Sequence, residues 1–183
     1  MSTRALIRVT GGLAAAVGLV VLVAGPAVAH VEVDPDSAPK GATKIVGFRV
    51  PNEKDNASTV QVEIDLPTDH PIPQVLVEQK PGWTFTVEKQ TLPKPIKTEN
   101  GEITEAVTKI TWTGGQIQPN GFDLFPILAG PLPKNASKLE FKALQTYSDG
   151  DVVRWIEPTP KGGPEPDHPA PVLTLTKAAK SHD

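Results

Sequence analysis

The histidine that follows Ala27-Val28-Ala29 is the residue of this sequence best suited to chemistry. Ala27 and Ala29 form the small-residue pattern that signal peptidase cleaves, so His30 is predicted to become the first residue of the mature chain. A histidine in that position carries a free α-amine beside its ring Nδ1, and these two atoms can chelate one metal ion in a six-membered ring. An internal histidine lacks the second donor. The sequence therefore predicts a metal-binding site that depends on cleavage before His30.

Residues 1–29 have the parts of an export signal. Arg4 and Arg8 supply a basic start, residues 13–24 are apolar or small throughout, and Pro26 ends the run. A membrane anchor is the alternative, but this run is shorter than the roughly 20 residues that span a bilayer. We therefore expect a signal that is cleaved after residue 29, with a cut one or two residues away as the main competitor. The mature protein would then be secreted, periplasmic or associated with the cell surface.

Length and charge limit the classes of partner. Cleavage would leave 154 of the 183 residues, which is enough for one domain with a buried core. Loss of the two signal arginines from the 18 basic residues leaves 16 against 21 acidic residues, a formal charge of −5. A mildly acidic chain argues against a nucleic-acid partner, which requires a basic surface. Lysine and arginine form no cluster near either terminus, so a polybasic membrane-binding patch is not predicted.

The composition excludes sulfur ligands. The chain has no cysteine, and its single methionine is Met1, which would leave with the signal. A metal must therefore be held by nitrogen and oxygen donors, which suit Cu(II) and serve Cu(I) poorly.

The remaining three histidines lie in loop or tail contexts. His70 and His168 each stand between an aspartate and a proline, which predicts solvent-exposed turns, and His182 lies near the C-terminus. They do not form the closely spaced pair that is typical of a zinc site. The chain also lacks a Gly-x-Ser-x-Gly motif and a phosphate-binding glycine loop, so a serine hydrolase and a nucleotide-binding protein are not predicted.

Two residues near predicted strand ends could add to a site at His30. Glu53 follows a strand that ends at Val50-Pro51, and Trp155 lies on a strand that begins after the Asp149-Gly150 turn. From these residues alone, an exposed turn acid and a core aromatic are the favoured interpretations.

Apolar residues alternate with polar ones in short runs, which predicts an all-β fold. Eight or nine strands separated by turn signals indicate a β-sandwich of the immunoglobulin type over residues 30–176, followed by a flexible tail over 177–183. Pro126 should confine its strand to a sheet edge or a bulge. Residues 158–171 should form an irregular loop. The predicted strands are 44–50, 59–66, 74–78, 83–89, 108–112, 122–129, 139–143, 152–157 and 172–176.

Four short motifs follow one another along the predicted mature chain. They are Ala29-His30-Val31, Val50-Pro51-Asn52-Glu53, Pro81-Gly82-Trp83, and a Tyr-x-Asp-Gly-x-x-x-x-Trp segment from Tyr147 to Trp155. In this order and at these spacings, the sequence resembles the YcnI-like family of exported bacterial copper-binding domains.

The resemblance implies an immunoglobulin-like or fibronectin-like sandwich that binds Cu(II) through a monohistidine brace. In such a brace the α-amine and the ring of His30 chelate the ion, Glu53 supplies a carboxylate oxygen, and Trp155 packs over the metal. It further implies copper trafficking, storage or homeostasis outside the cytoplasm, without enzymatic activity. The partners would be the copper ion and another copper-handling protein at the membrane.

Two other classes of function stay open at this point. A copper-dependent oxidative enzyme would share the N-terminal histidine of the lytic polysaccharide monooxygenases, but that brace needs a second histidine, which only His70, His168 or His182 could supply. A structural or adhesive sandwich would bind no metal, and its N-terminus would have no special role.

Overall fold

The computed structural model describes residues 30–98 and 101–178. The regular secondary structure in these ranges is β-strand, and no helix within them is long and apolar enough to cross a membrane. The all-β prediction is therefore confirmed, whereas the predicted signal over residues 1–29 and His182 lie outside the described residues. The strands are β1 (Glu32–Asp34), β2 (Ser37–Pro39), β3 (Lys44–Pro51), β4 (Thr59–Asp65), β5 (Gln74–Val77), β6 (Thr84–Thr98), β7 (Gly101–Ile117), β8 (Phe122–Gly130), β9 (Lys138–Glu140), β10 (Lys142–Tyr147), β11 (Val152–Trp155) and β12 (Val172–Thr176).

The strands of the described ranges form three sheets. One has the order β1-β3-β8-β5 and a second the order β11-β10-β4-β7-β6, and neighbouring strands in both are antiparallel. A third sheet has the order β2-β12-β9, in which β12 is parallel to β2. The two larger sheets face each other across the core, where the rings of Phe125 on β8 and Trp112 on β7 have centroids 5.3 Å apart.

The core follows from the period of two along each strand. In β4, Val62 and Ile64 are buried, while Gln61, Glu63 and Asp65 between and beside them are partly exposed. Successive side chains of a strand point to opposite faces, so one face of β4 is apolar and packs inward. Because the chain contains no cysteine, this buried apolar surface stabilises the fold without disulfide cross-links.

The run from 139 to 143 is not one strand, as the alternation had predicted. Leu139 pairs with Leu173 of the third sheet, whereas Ala143 pairs with Ile64 of the five-stranded sheet, and Phe141 lies between the two strands. Leu139, Phe141 and Ala143 are all buried. The alternating pattern reports burial, and it continues while the chain crosses from one sheet to another.

The prediction that Pro126 marks an edge strand or a bulge is wrong, because β8 lies between β3 and β5. The carbonyl of Pro126 accepts a hydrogen bond from the backbone N–H of Glu78 (3.1 Å), just beyond the end of β5 at Val77. The N and C=O of one residue in an antiparallel strand point to the same neighbour. The missing N–H of Pro126 therefore faces the end of β5 and removes no bond to β3.

The hairpin of β6 and β7 is much longer than the predicted strands at 83–89 and 108–112. Its outer part is paired only within itself, for example Gln90 with Ala106 and Thr91 with Glu105. Most of the side chains there are exposed, so the apolar alternation that reveals a strand is absent.

Candidate metal centre

His30 lies directly before β1 at one end of the sandwich. The antiparallel register pairs Glu32 of β1 with Arg49 of β3. Continuing this register by two residues on each strand places His30 beside Pro51, at the end of β3. Val31 is buried, so the alternation turns the side chain of His30 away from the core. Its side chain is 17% exposed, which leaves an imidazole within a shallow cleft.

Trp155 is the last residue of β11 and is fully buried. The centroids of its ring and the His30 ring are 5.8 Å apart, and the ring planes are inclined by 58°. The structure thus brings together two of the three residues that the resemblance assigned to the site. Trp155 is also a core aromatic, as its sequence context alone had favoured.

A buried glutamine joins the tryptophan to the end of β3. Trp155 Nε1 donates to Gln145 Oε1 at 3.1 Å, and Gln145 Nε2 donates to Pro51 O and to Thr59 Oγ1, both at 2.7 Å. Gln145 is 1% exposed, and its amide is therefore satisfied by protein groups at both ends. This network fixes the orientation of the indole relative to the backbone beside His30.

Glu53 is exposed in the turn after β3, two residues beyond Pro51. No hydrogen bond or ion pair among the described residues joins Glu53 to His30. Burial raises the pKa of Tyr147, and the backbone of Glu53 partly opposes this increase. The structure therefore places Glu53 near the end of β3 and leaves its carboxylate free of His30.

A carboxylate that sequence reasoning missed lies near the His30 ring nitrogen. Glu165 Oε1 lies 3.4 Å from His30 Nδ1. Glu165 belongs to the loop between β11 and β12, and residues 158–165 of that loop are all exposed. No motif marks this acid in the sequence, because the loop has no repeating pattern from which its path could be read.

His168 was predicted to be a solvent-exposed turn residue, but the structure shows that it also makes an aromatic contact. It lies in the predicted loop and is partly exposed, but its ring packs edge-on against Trp155, with centroids 5.2 Å apart. His168 Nδ1 lies 3.6 Å from Glu157 Oε1. His70 contacts Asp69 at 3.8 Å and lines a different cleft from His30.

A cleft of about 300 Å³ opens beside His30 and is lined by β1 and by the loop before β12. Asp36, Thr159 and Glu165 contribute polar groups to its wall, and Pro169 and Pro171 contribute apolar surface. The described ranges contain no group of three or more histidine, aspartate or glutamate side chains that could by themselves hold a metal ion. The histidine, one nearby carboxylate and the buried indole are thus the components that the structure assembles at this end.

Residues 30–175 match the family described as a domain of unknown function (DUF1775). The copper-binding protein CutI of Bacillus subtilis (strain 168) is 29% identical over 171 residues, which cover 92% of this chain and 73% of that protein. The crystal structure of an uncharacterized protein from Nocardia farcinica, reported to have an immunoglobulin-like fold, is 38% identical. It matches with a TM-score of 0.64 over 81% of this chain and 99% of that one.

The similarity to the Nocardia farcinica structure confirms the immunoglobulin-like sandwich that the strand pattern predicted. The family match begins at His30 and ends within the last strand, so it includes every element of the candidate site. The chain therefore belongs to the DUF1775 family, which confirms the YcnI-like assignment made from its four motifs.

Proposed function

We propose that this protein binds Cu(II) outside the cytoplasm through a monohistidine brace at His30, and that it serves copper trafficking, storage or homeostasis. Similarity to the copper-binding protein CutI over nearly the whole chain supports copper as the metal. Export is supported by the signal-like segment that precedes His30.

The observation that carries the proposal is the contact of His30 with Trp155. A partly shielded imidazole lies on a fully buried indole at the residue where the family match begins. A buried glutamine orients this tryptophan, so the indole presents a fixed surface to the His30 ring. The indole would shield one side of an ion bound by the ring and would limit the access of water to it.

The available donors fit Cu(II). The α-amine exposed by cleavage and His30 Nδ1 supply two nitrogens, and Glu53 is the carboxylate that the family resemblance assigns. Nitrogen and carboxylate oxygen in a roughly square arrangement are typical of Cu(II) sites. The metal must displace the proton of the α-amine, so binding and deprotonation are coupled.

The surroundings of His168 favour a copper-binding protein over a copper-dependent oxidative enzyme. An oxidative enzyme of the histidine-brace class needs a second imidazole on the metal, and among the described residues His168 joins His30 in contacting Trp155. Its Nδ1 is directed to Glu157, and its ring packs on Trp155. The partners that we propose are the copper ion and a copper-handling protein at the membrane.

The proposal is tested by moving the N-terminus. A mature chain that starts at His30 should bind one equivalent of Cu(II) in a calorimetric titration. A chain with one alanine added before His30 keeps the imidazole but loses the α-amine donor, so we expect its affinity to fall by about 100-fold or more, as for the loss of a direct ligand. His30→Ala should abolish stoichiometric binding.

Two matched variants complete this test. His70→Ala removes a histidine that lines a different cleft from His30, and its titration should equal that of the parent chain. Glu53→Gln keeps the shape of the side chain and removes its charge, so the affinity should fall without a change of stoichiometry. Equal binding by the alanine-extended chain and the parent chain would contradict the brace.

A further inference from the structure

The loop between β11 and β12 crosses the cleft in which His30 lies. It is closed at its base, because Glu157 N–H donates to His168 O (3.0 Å) and Ala170 N–H donates to Glu157 O (2.8 Å). Glu157 and Pro169 form a parallel β-bridge at the same point. The loop therefore leaves and re-enters the sandwich at one place, and its middle part is exposed over the cleft.

The separation of Glu165 from His30 suits two ligands of one ion. First-row metal ions such as Zn²⁺ have bonds to imidazole nitrogen and carboxylate oxygen of about 2.0–2.2 Å, so two donors at right angles lie roughly 3 Å apart. Glu165 Oε1 is 3.4 Å from His30 Nδ1. That nitrogen is the ring atom that a chelate with the α-amine would use.

The carboxylate of Glu165 is available for such a bond. Its side chain is 62% exposed, and its recorded polar contact in the described part of the chain is the one with His30. An exposed glutamate loses little hydration and makes no competing ion pair when it turns toward a metal.

We propose that Glu165 is a ligand of the copper ion held by His30, so that the loop between β11 and β12 closes the site. This inference rests on the proposed function. With the α-amine and His30 Nδ1, Glu165 supplies a third donor. The carboxylate of Glu53, which does not lie with these groups in the described structure, would have to move in as the fourth. Two nitrogens and two oxygens are donors that Cu(II) prefers. The two carboxylates also offset the double charge of the ion at the edge of an apolar core.

The test uses the mature chain that begins at His30. Glu165→Gln keeps the length and hydrogen-bonding shape of the side chain but supplies a much weaker ligand. Asp167→Asn makes the same change of charge two residues further along the same loop and serves as the matched control. Cu(II) affinity is measured by competition with a chelator, and the ligand field by electron paramagnetic resonance of the copper complex.

We expect Glu165→Gln to weaken Cu(II) binding by about tenfold or more and to change the copper hyperfine splitting, since a carboxylate oxygen is replaced. Asp167→Asn should keep both properties of the parent chain. Unchanged affinity and spectrum in Glu165→Gln would overturn this inference and leave the proposed function standing, as would equal losses in the two variants. A mature parent chain that binds no Cu(II) would overturn the proposed function and this inference together.

Discussion

Two acidic segments reach the end of the sandwich that carries His30, and they are held in opposite ways. The turn that carries Glu53 is attached by a series of side-chain hydrogen bonds. The loop that carries Glu165 is attached at its base, by backbone hydrogen bonds and by one aromatic contact.

The Glu53 turn is organised around a buried asparagine. Asn52 Nδ2 donates to Ala57 O and Ile117 O, both at 2.8 Å, and Asn52 Oδ1 accepts from Lys54 N–H at 2.9 Å. Lys54 Nζ then lies 2.7 Å from Asp149 and 2.9 Å from Asp151. The bonds of Asn52 fix the backbone beside Glu53, so the course of this turn is set before any ligand arrives.

Within the part of the chain that the structure describes, the Glu165 loop has no comparable attachment along its length. Between Glu157 and His168 the hydrogen bond recorded among backbone groups is a local one, from Gly163 N–H to Pro160 O at 3.2 Å. Segments with few buried contacts open at low free-energy cost. The comparison therefore indicates a preset backbone in the turn that carries Glu53 and an adjustable backbone in the loop that carries Glu165.

The largest expected effect comes from a substitution that removes the hydrogen bonds of the turn that carries Glu53. Asn52→Ala would leave the carbonyls of Ala57 and Ile117 unpaired in a buried environment, and each unpaired group costs about 1–3 kcal/mol. We expect the free energy of unfolding to fall by about 3 kcal/mol, as measured by denaturant titration. Asp55→Ala changes an exposed residue of the same turn and should stay within about 0.5 kcal/mol of the parent chain. A loss below about 1 kcal/mol in Asn52→Ala would contradict the assigned role of this residue.

A smaller effect on stability is expected from a substitution in the loop that carries Glu165. His168→Ala removes the edge-on contact with Trp155, and an aromatic pair of this kind contributes about 0.5–1.5 kcal/mol. The domain should remain folded, while the loop should open more often. Limited proteolysis with trypsin checks this, because the exposed Lys161 lies in the loop and should be cleaved faster in the variant.

His70→Ala is the control for that experiment, because His70 lies in another turn and does not contact Trp155. Its rate of cleavage at Lys161 should equal that of the parent chain. Equal rates in His168→Ala and the parent chain would show that the ring does not hold the loop, and the contrast between the two segments would then rest on the backbone bonds alone.

The same contrast explains which parts of the site could be predicted from the sequence. Strands with one buried face repeat every two residues, so β4 and β12 were predicted nearly to the residue. His30 was predicted because a cleavage pattern precedes it, whereas Trp155 was assigned to the site only by the resemblance to the YcnI-like family, to which the Tyr147–Trp155 motif contributes. These residues belong to segments whose local chemistry is regular.

Glu165 and His168 belong to a segment whose path depends on distant contacts. The loop passes His30 because Glu157 pairs with Pro169 and because β12 joins β2 in a parallel pair near the N-terminus. Neither pairing leaves a pattern in the loop itself. The split at Phe141 was missed for a related reason, since a strand that changes sheets keeps its inward face apolar.

The smallest expected effect is the pH dependence of the ion pairs that attach the Glu53 turn to the rest of the domain. Hydrogen bonds to Lys54 hold the pKa values of Asp149 and Asp151 below their ordinary value, and the same contacts raise the pKa of Lys54. A carboxyl whose pKa is lower in the folded state stabilises the fold above its unfolded pKa and loses this contribution as the pH falls through the folded pKa. The attachment of the Glu53 turn to the Asp149-Gly150 turn should therefore weaken below about pH 4.

This prediction is measured as the difference in unfolding free energy between the parent chain and Lys54→Met. The difference should be constant between about pH 5 and about pH 8, should shrink as the pH is lowered to about 3, and should be small throughout because the ion pairs are exposed. Glu157→Gln, which changes the ion pair at the base of the Glu165 loop, leaves the carboxylates that contact Lys54 intact and should keep the acid-dependent loss of the parent chain. A difference that stays constant to about pH 3 would show that Lys54 acts on the turn through its contact with the Tyr147 ring, whose centroid lies 4.8 Å from Nζ, and not through its ion pairs with Asp149 and Asp151.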